Sequence, residues 1–163
     1  MAECAENSVT QAIFALLDAS GRPFSRQEHI ALTSSEHAAE LRGVPLAMGG
    51  KSLLFKIGKR PDFRLMVVSA ARRTDNRLIR KHFGVQKLRF ARTEELLAHT
   101  GLTPGCVPPF GRPIFDLPVY VDAELAGREE VAFTPGDHRI SVRMRMEDYL
   151  AVARVDGVFG FSR

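Results

Sequence analysis

Apolar residues recur at helical spacing from the start of the chain. Val9, Ile13, Leu16 and Leu17 follow a Ser8-x-x-Gln11 capping-box pattern, and Gly21 and Pro23 stop the run. The spacing predicts a first helix of about three turns. Phe24 to Leu32 reads as extended, with His29 inside it. Thr33 and Glu36 form a second capping box, for a helix through Ala38, Ala39 and Leu41 that ends at Gly43. A loop from Val44 closes on the Gly49-Gly50 pair, and Lys51 to Ile57 reads as a strand. After a turn at GKRPD, Phe63 to Ala70 is the next strand. Its unbroken apolar run, LMVV, predicts burial on both faces. Thr74 is the expected N-cap of a helix from Asp75 to Phe83, closed by Gly84, with Leu78 and Ile79 inward and Arg77, Arg80 and Lys81 toward water. Val85 to Phe90 reads as a short strand, and Thr93 as the cap of a helix through Leu96 and Leu97 that ends near Gly101.

The periodicity then breaks. GLTPGCVPPFGRP packs Gly and Pro in quick succession, so it must be loop, yet it holds apolar Val107 and Phe110. A stiff apolar loop of this kind often lines a site. Beyond it, Val119 to Val121, Val131 to Phe133 and Ile140 to Met144 read as strands, with Pro135-Gly136 in the turn between the last two. Met146 to Ala153 reads as a short helix with Glu147 and Asp148 near its positive end. No internal repeat or linker interrupts this order. It predicts a single domain over 1–163, α/β or α+β with a mixed sheet, with residues 1–7 as a disordered tail.

Composition narrows the classes. A chain of 163 residues suits one core, and 45% hydrophobic with 26% charged residues is ordinary for a globular protein. No apolar run approaches the roughly 20 residues that cross a bilayer. The start, MAECAENSVT, has no basic region of a secretory signal, so a cytoplasmic location and no membrane partner are expected. Cys4, placed in the frayed tail, and Cys106 are too few for a disulfide framework, and no zinc-type spacing occurs, so neither a metal nor a cofactor is expected. Charge is uneven. Arg72 to Arg92 holds eight Lys and Arg against Asp75 alone, leaving 15 basic and 18 acidic residues elsewhere. That concentration favours a polyanionic partner; the plainer alternative is a solvated helix face and loop.

Five separated pieces, in order, resemble one family. They are the Lys in GGKSLLFK; the apolar strand and following helix in LMVVSAARRTDNRLIRKHFGV; the strand and helix KLRFARTEELLAHTG; the loop TGLTPGCVPPFG; and the hairpin VAFTPGDHRISVRM. Across roughly residues 8 to 153 the chain is similar to the YbaK/prolyl-tRNA-synthetase-associated editing domains. The resemblance implies a strongly curved, barrel-like mixed sheet packed by helices. It also implies an aminoacyl-tRNA deacylase acting in trans on a mischarged tRNA, carrying a small amino acid such as Ala, Cys or Ser, and with tRNA-Pro and prolyl-tRNA synthetase as candidate partners. Competing readings are a non-catalytic nucleic-acid-binding module and a protein that docks on a synthetase.

Hydrolysis of an aminoacyl ester needs a placed water, stabilisation of the tetrahedral oxyanion and a seat for the terminal adenosine. The resemblance makes Lys51 the essential cation of the pocket; from residues alone it is equally a surface strand lysine. It also makes Gly105 the glycine whose N–H faces the reacting carbonyl, with Pro104 and Pro108 stiffening the bend. Gly50 lets backbone approach a ligand. Thr134 and Gly136 match positions near the amino-acid pocket, and either is as well read as strand end and turn. Met48, Cys106, Val107 and Phe110 are candidate walls, and His29 a candidate contact near the cleft. A Cys106 nucleophile with His29, His37, His82, His99 or His138 as base cannot be assembled from sequence. Arg72, Arg73, Arg77, Arg80 and Lys81, with Lys87, Arg89 and Arg92 behind them, are the candidate tRNA-phosphate contacts.

Overall fold

In the computed structural model, which describes residues 7–163, the strands form two sheets joined at one seam. The chain runs α1 (Ser8–Ser20), β1 (Phe24–Glu28), α2 (Ser35–Arg42), a 3-10 turn (Leu46–Met48), β2 (Gly50–Ile57), β3 (Phe63–Ser69), α3 (Asn76–Phe83), β4 (Leu88–Phe90) and α4 (Thr93–Thr100). It continues through β5 (Val119–Asp122), α5 (Ala123–Ala126), β6 (Glu130–Phe133), β7 (Ile140–Arg145), α6 (Met146–Ala153) and β8 (Gly157–Phe159). The larger sheet has the order β4-β2-β3-β5-β8, antiparallel as far as β3 and parallel from there to β8. The smaller sheet, β1-β7-β6, is antiparallel. The mixed α/β class expected from the element order is what forms. The barrel-like shape is not: one parallel bridge, Gly49 to Ala132, joins the sheets, so both remain open.

Period-two alternation on β3 divides the core. Leu65 and Val67 enter a cluster between the sheets with Ile13, Leu17, Phe133 and Tyr149, while Met66 and Val68 enter a second cluster with Phe55, Ile79 and Phe161. All four β3 residues are fully buried, which is the double-faced burial that the LMVV run predicts. Each contributes roughly 1.5–3 kcal/mol of apolar burial.

The starts of α1 to α4 differ from expectation by one residue each, whereas α6 runs Met146–Ala153 as expected. Asn7, expected in the tail, caps α1 by accepting from Thr10 N, so Ser8 is the first helical residue. Ser34, not Thr33, caps α2 through His37 N, and Asp75, not Thr74, caps α3 through Arg77 N. At α4 the cap position is Arg92, whose backbone N–H is taken by Glu95 Oε1 at 2.8 Å. Leu78, expected inward, is 37% exposed; only Ile79 of that pair is core. β1 ends at Glu28, although His29 and Leu32 still donate to Arg139 O and His138 O. α5 and β8 have no counterpart among the expected elements. Cys4 lies outside the described residues.

The proline-rich segment between α4 and β5 is fixed from below. Cys106, Val107, Phe110, Phe115 and Leu117 are buried, and Tyr149 Oη donates to Pro109 O at 2.5 Å. Gly111 lies flat on the returning chain: a Cβ there would collide with the carbonyl oxygen of Leu117, which is backbone and cannot yield. Gly111→Ala is expected to cost about 3 kcal/mol, the upper end for overpacking, and so to lower Tm by roughly 6–12 °C. Thermal unfolding followed by circular dichroism checks this; an unchanged Tm would show that the segment is not held at that point.

Candidate active site

A cleft of about 270 Å³ opens where α2, the start of β2, the Gly105 bend and the turn after β6 converge. Its floor is backbone. Gly49 and Gly50 lie in it because the strand passes too close to its neighbours for side chains: a Cβ on Gly50 would come within 3.1 Å of Val131 Cγ2. Lys51 follows as a half-buried residue on the cleft wall. Burial, then the nearby charge of Arg73, lowers its pKa from the ordinary lysine range, with Glu36 opposing. Among the described residues Lys51 forms no ion pair, so its ammonium is free to meet a ligand. Ser52 Oγ, beside it, is buried without a hydrogen-bond partner in the described residues.

Gly105 lines the same cleft. Its φ of +91° lies in the left-handed region that side-chain-bearing residues rarely adopt, and a Cβ would meet His138 Cε1 at 3.4 Å. The bend leaves the Gly105 N–H without an acceptor among the described residues. Cation and unpaired amide thus line the same cleft, together with Val107, Thr134 and His138.

Arg42, from the last turn of α2, organises the wall next to them. Its Nε donates to Ser141 Oγ at 2.7 Å and its Nη2 to Thr134 Oγ1 at 3.1 Å. Burial lowers its pKa to about 10, so it remains charged at neutral pH. His29 completes the chain. Its Nδ1 lies 2.7 Å from Ile30 O, an atom that can only accept, so Nδ1 carries a proton, and its Nε2 lies 2.8 Å from Ser141 Oγ. Thr134 already accepts from Arg42, which leaves its hydroxyl proton available to the cleft.

Of the residues expected at the site, Lys51, Gly105, Gly50, Thr134 and Val107 line the cleft. Met48, Cys106, Gly136, His29 and Phe110 do not. Met48 ends the 3-10 turn behind the floor. Cys106 is buried and its thiol donates to Thr103 O at 3.4 Å; Phe110 packs against Phe133 and Tyr149. Apolar residues in that loop turn to the core because burial is where they gain most. Gly136 faces the start of α1, with its carbonyl accepting from Asn7 Nδ2 and the Pro135 carbonyl from Thr10 Oγ1. His29 reaches the site only through Ser141.

Among the basic residues, Arg73, Arg77 and Arg80 line a groove adjoining the cleft. Arg72 turns away to donate to Ser162 Oγ at 2.7 Å, and Lys81 is exposed outside the groove. Arg89 is held bidentately by Glu95. Arg42, Ser52 and His138 were not expected at the cleft. A basic residue in a last helical turn ordinarily complements the dipole, so nothing in the pattern marked Arg42. Among the described residues no group of three or more His, Cys, Asp or Glu is placed to hold a metal, and no helix is long and apolar enough to cross a membrane.

Similarity to known proteins gives the family. Residues 29–152 match the aminoacyl-tRNA editing domain model. The chain is 33% identical over 159 residues to the multifunctional Ser/Thr-tRNA deacylase ProXp-y of Escherichia coli (strain K12), covering 94% of each. It is 27% identical over 150 residues to the prolyl-tRNA editing protein ProX of Acetoanaerobium sticklandii, covering 90% of this chain and 92% of that one. A solved structure described as a candidate trans-editing enzyme for prolyl-tRNA synthetase superposes with a TM-score of 0.81 at 28% identity, over 98% of this chain and 99% of that one. The chain belongs to the aminoacyl-tRNA editing domain family. It is a hydrolase of the aminoacyl-tRNA ester.

The Lys51 environment is open to direct measurement. Carbon-13 NMR of the lysine Cε resonances should place Lys51 at the low end of the chain's lysines, below the unperturbed value of about 10.4. A titration at or above that value would mean that the ammonium is not desolvated in solution.

Proposed function

We propose that this chain edits in trans, removing a small hydroxyl-bearing amino acid, serine or threonine, from a mischarged tRNA. The observation that carries the reading is the pairing of a partly desolvated, ion-pair-free Lys51 with the unpaired Gly105 amide on one cleft. In this reading, water attacks the ester carbonyl carbon, and the carbonyl oxygen gains negative charge. Gly105 N–H donates to that oxygen, in a bend already set by its φ, so little reorganisation is needed. Lys51 holds the ribose–phosphate side or the same developing charge. The carbon–oxygen bond to the ribose then breaks, and the ribose oxygen leaves as a hydroxyl carrying a proton from the attacking water. The substrate's free neighbouring ribose hydroxyl orients that water, as the family resemblance implies.

Small walls favour a small side chain: Ala38, Ala39 and Ala70 border the cleft together with its glycines. The free Thr134 proton favours one with a hydroxyl. The name of the Escherichia coli relative, a Ser/Thr-tRNA deacylase, agrees with that preference. Arg73, Arg77 and Arg80 supply phosphate contacts, which position the acceptor end and read no sequence.

Deacylation of alanyl-, cysteinyl-, seryl- and threonyl-tRNA tests this directly. The seryl ester should be hydrolysed at least about tenfold faster than the alanyl ester, the worth of roughly one hydrogen bond. Lys51→Ala should lower kcat by about 10²–10³, the usual loss for an oxyanion contact, with tRNA binding retained; Gly105→Ala keeps its N–H but strains the bend at φ +91°, and should lower kcat by shifting that donor. Turnover of none of the four esters, with tRNA binding intact, would instead favour the non-catalytic binding module. Size-exclusion of the chain mixed with prolyl-tRNA synthetase separates the docking reading. Activity should also fall steeply with salt, log K declining by about 0.7–0.9 per phosphate contact for each unit of log salt. A flat response would remove the arginine groove from the substrate path.

A further inference from the structure

Lys51 and Leu53 line two hollows at once. On one side is the cleft; on the other is an open groove of about 870 Å³ that carries Arg73, Arg77, Arg80 and Phe90. The acid that borders this groove, Asp75, is committed to α3, where it accepts from Arg77 N and lies 3.5 Å from the Arg77 guanidinium. The groove is therefore cationic, and Lys51 and Leu53 are the wall it shares with the cleft.

Phe90 is the feature that phosphate binding alone leaves unexplained. It lies on the edge strand β4 and is 52% exposed, unusually open for a phenylalanine. Its ring rests on that of Phe55, centroids 4.5 Å apart and planes 30° apart, and Phe55 is fully buried. Phe55 and Phe90 are register partners in the β2–β4 ladder, so the backbone fixes the pair as well. One side of the Phe90 ring thus has a rigid base, and much of the rest faces solvent beside arginines. Lys51, Leu53 and Phe55 share one face of β2, at successive alternate positions. Phe90, opposite Phe55, stands roughly 14 Å along the strand from Lys51, counting about 3.4 Å per residue. At that distance the ring and the reacting ester hold different nucleotides.

An aromatic platform inside a cationic groove is the arrangement that binds unpaired nucleic acid: phosphates follow the cations and a base stacks on the ring. We infer that Phe90 is a stacking platform for a base of the unpaired 3′ strand of the tRNA, upstream of the charged adenosine, in the groove that Lys51 and Leu53 share with the cleft. A duplex does not suit the site, because its bases are already stacked on each other. The inference rests on the deacylase reading above and adds a second, separate subsite to it.

The test compares two substrates, seryl-tRNA and the seryl ester of adenosine, which has no upstream nucleotides. Phe90→Ala should raise KM for seryl-tRNA by roughly 5- to 150-fold, the range of a lost base–aromatic stack, with kcat unchanged. It should leave kcat/KM for the adenosine ester at the wild-type value, and Phe90→Trp should restore the tRNA KM. Equal losses on both substrates would overturn the inference, since Phe90 would then only be supporting the cleft; so would no loss on either. Phe90→Leu keeps apolar contact with Phe55 without an aromatic face and replaces the alanine variant should that one not fold. If the wild type hydrolyses no ester, the deacylase reading fails on its own. The platform is then decided by binding: wild type must quench 2-aminopurine in a single-stranded RNA ending in CCA, Phe90→Leu must not, and absence of wild-type quenching overturns it.

Discussion

Two missing side chains set the geometry on which the site depends. Gly49 and Gly50 bring the start of β2 against the smaller sheet, and a Cβ on either would come within 3.2 Å of Ala70 Cβ or 3.1 Å of Val131 Cγ2. At that distance the Gly49–Ala132 bridge forms and the sheets touch. From Gly50 onward β2 is committed to β3 in an antiparallel register that runs to Lys56 opposite Phe63. Lys51 is therefore the first side chain past the seam. Its place on the cleft wall follows from backbone packing, and its desolvation follows from its place.

The same seam explains the balance of charge. Arg42 and Lys51 both face the cleft, and neither has a carboxylate partner within ion-pair distance among the described residues. Two cations in a partly dry wall are costly in the empty state. Arg42 offsets its share by donating to Ser141 and Thr134, which fixes both hydroxyls at the same time. Lys51 has no such compensation, and its lowered pKa is the sign of that. On the proposed mechanism the uncompensated field is the useful one: it acts on negative charge that exists only as the tetrahedral intermediate forms.

Much of the fold was legible in the sequence because periodicity reports burial. β3 is the clearest case, its four core residues divided between two clusters as the unbroken apolar run requires. Capping chemistry located every helix start expected from it to within one residue, the error arising where neighbouring polar residues, such as Ser8 beside Asn7 or Thr33 beside Ser34, compete for the same role. α5 and β8 were illegible because four and three residues are too few to show a period. That Lys51, Gly105 and Thr134 line one cleft was anticipated through family resemblance and not through periodicity. Cys106 and Phe110 were misassigned because a Gly- and Pro-rich loop has no period from which to read direction. Arg42 carried no signal, since its partners Ser141 and Thr134 lie about a hundred residues away in the chain.

The cleft lining, among the described residues, includes no carboxylate and no cysteine, and one imidazole, that of His138. That is a poor set for strong base or nucleophilic catalysis and an adequate one for an ester that is already activated. An aminoacyl ester needs a placed water and a stabilised oxyanion far more than it needs a powerful base. The harder task is choice, because a pocket can refuse a side chain for its bulk but gains only about 1–3 kcal/mol from a single methylene. A hydrogen-bonding wall discriminates more sharply, since a substrate without the matching hydroxyl leaves buried polar atoms unpaired. On the proposed reading Thr134 is such a group, since its hydroxyl proton remains available after it accepts from Arg42. On that reading a serine or threonine ester gives the Thr134 proton an acceptor, and an alanine ester does not.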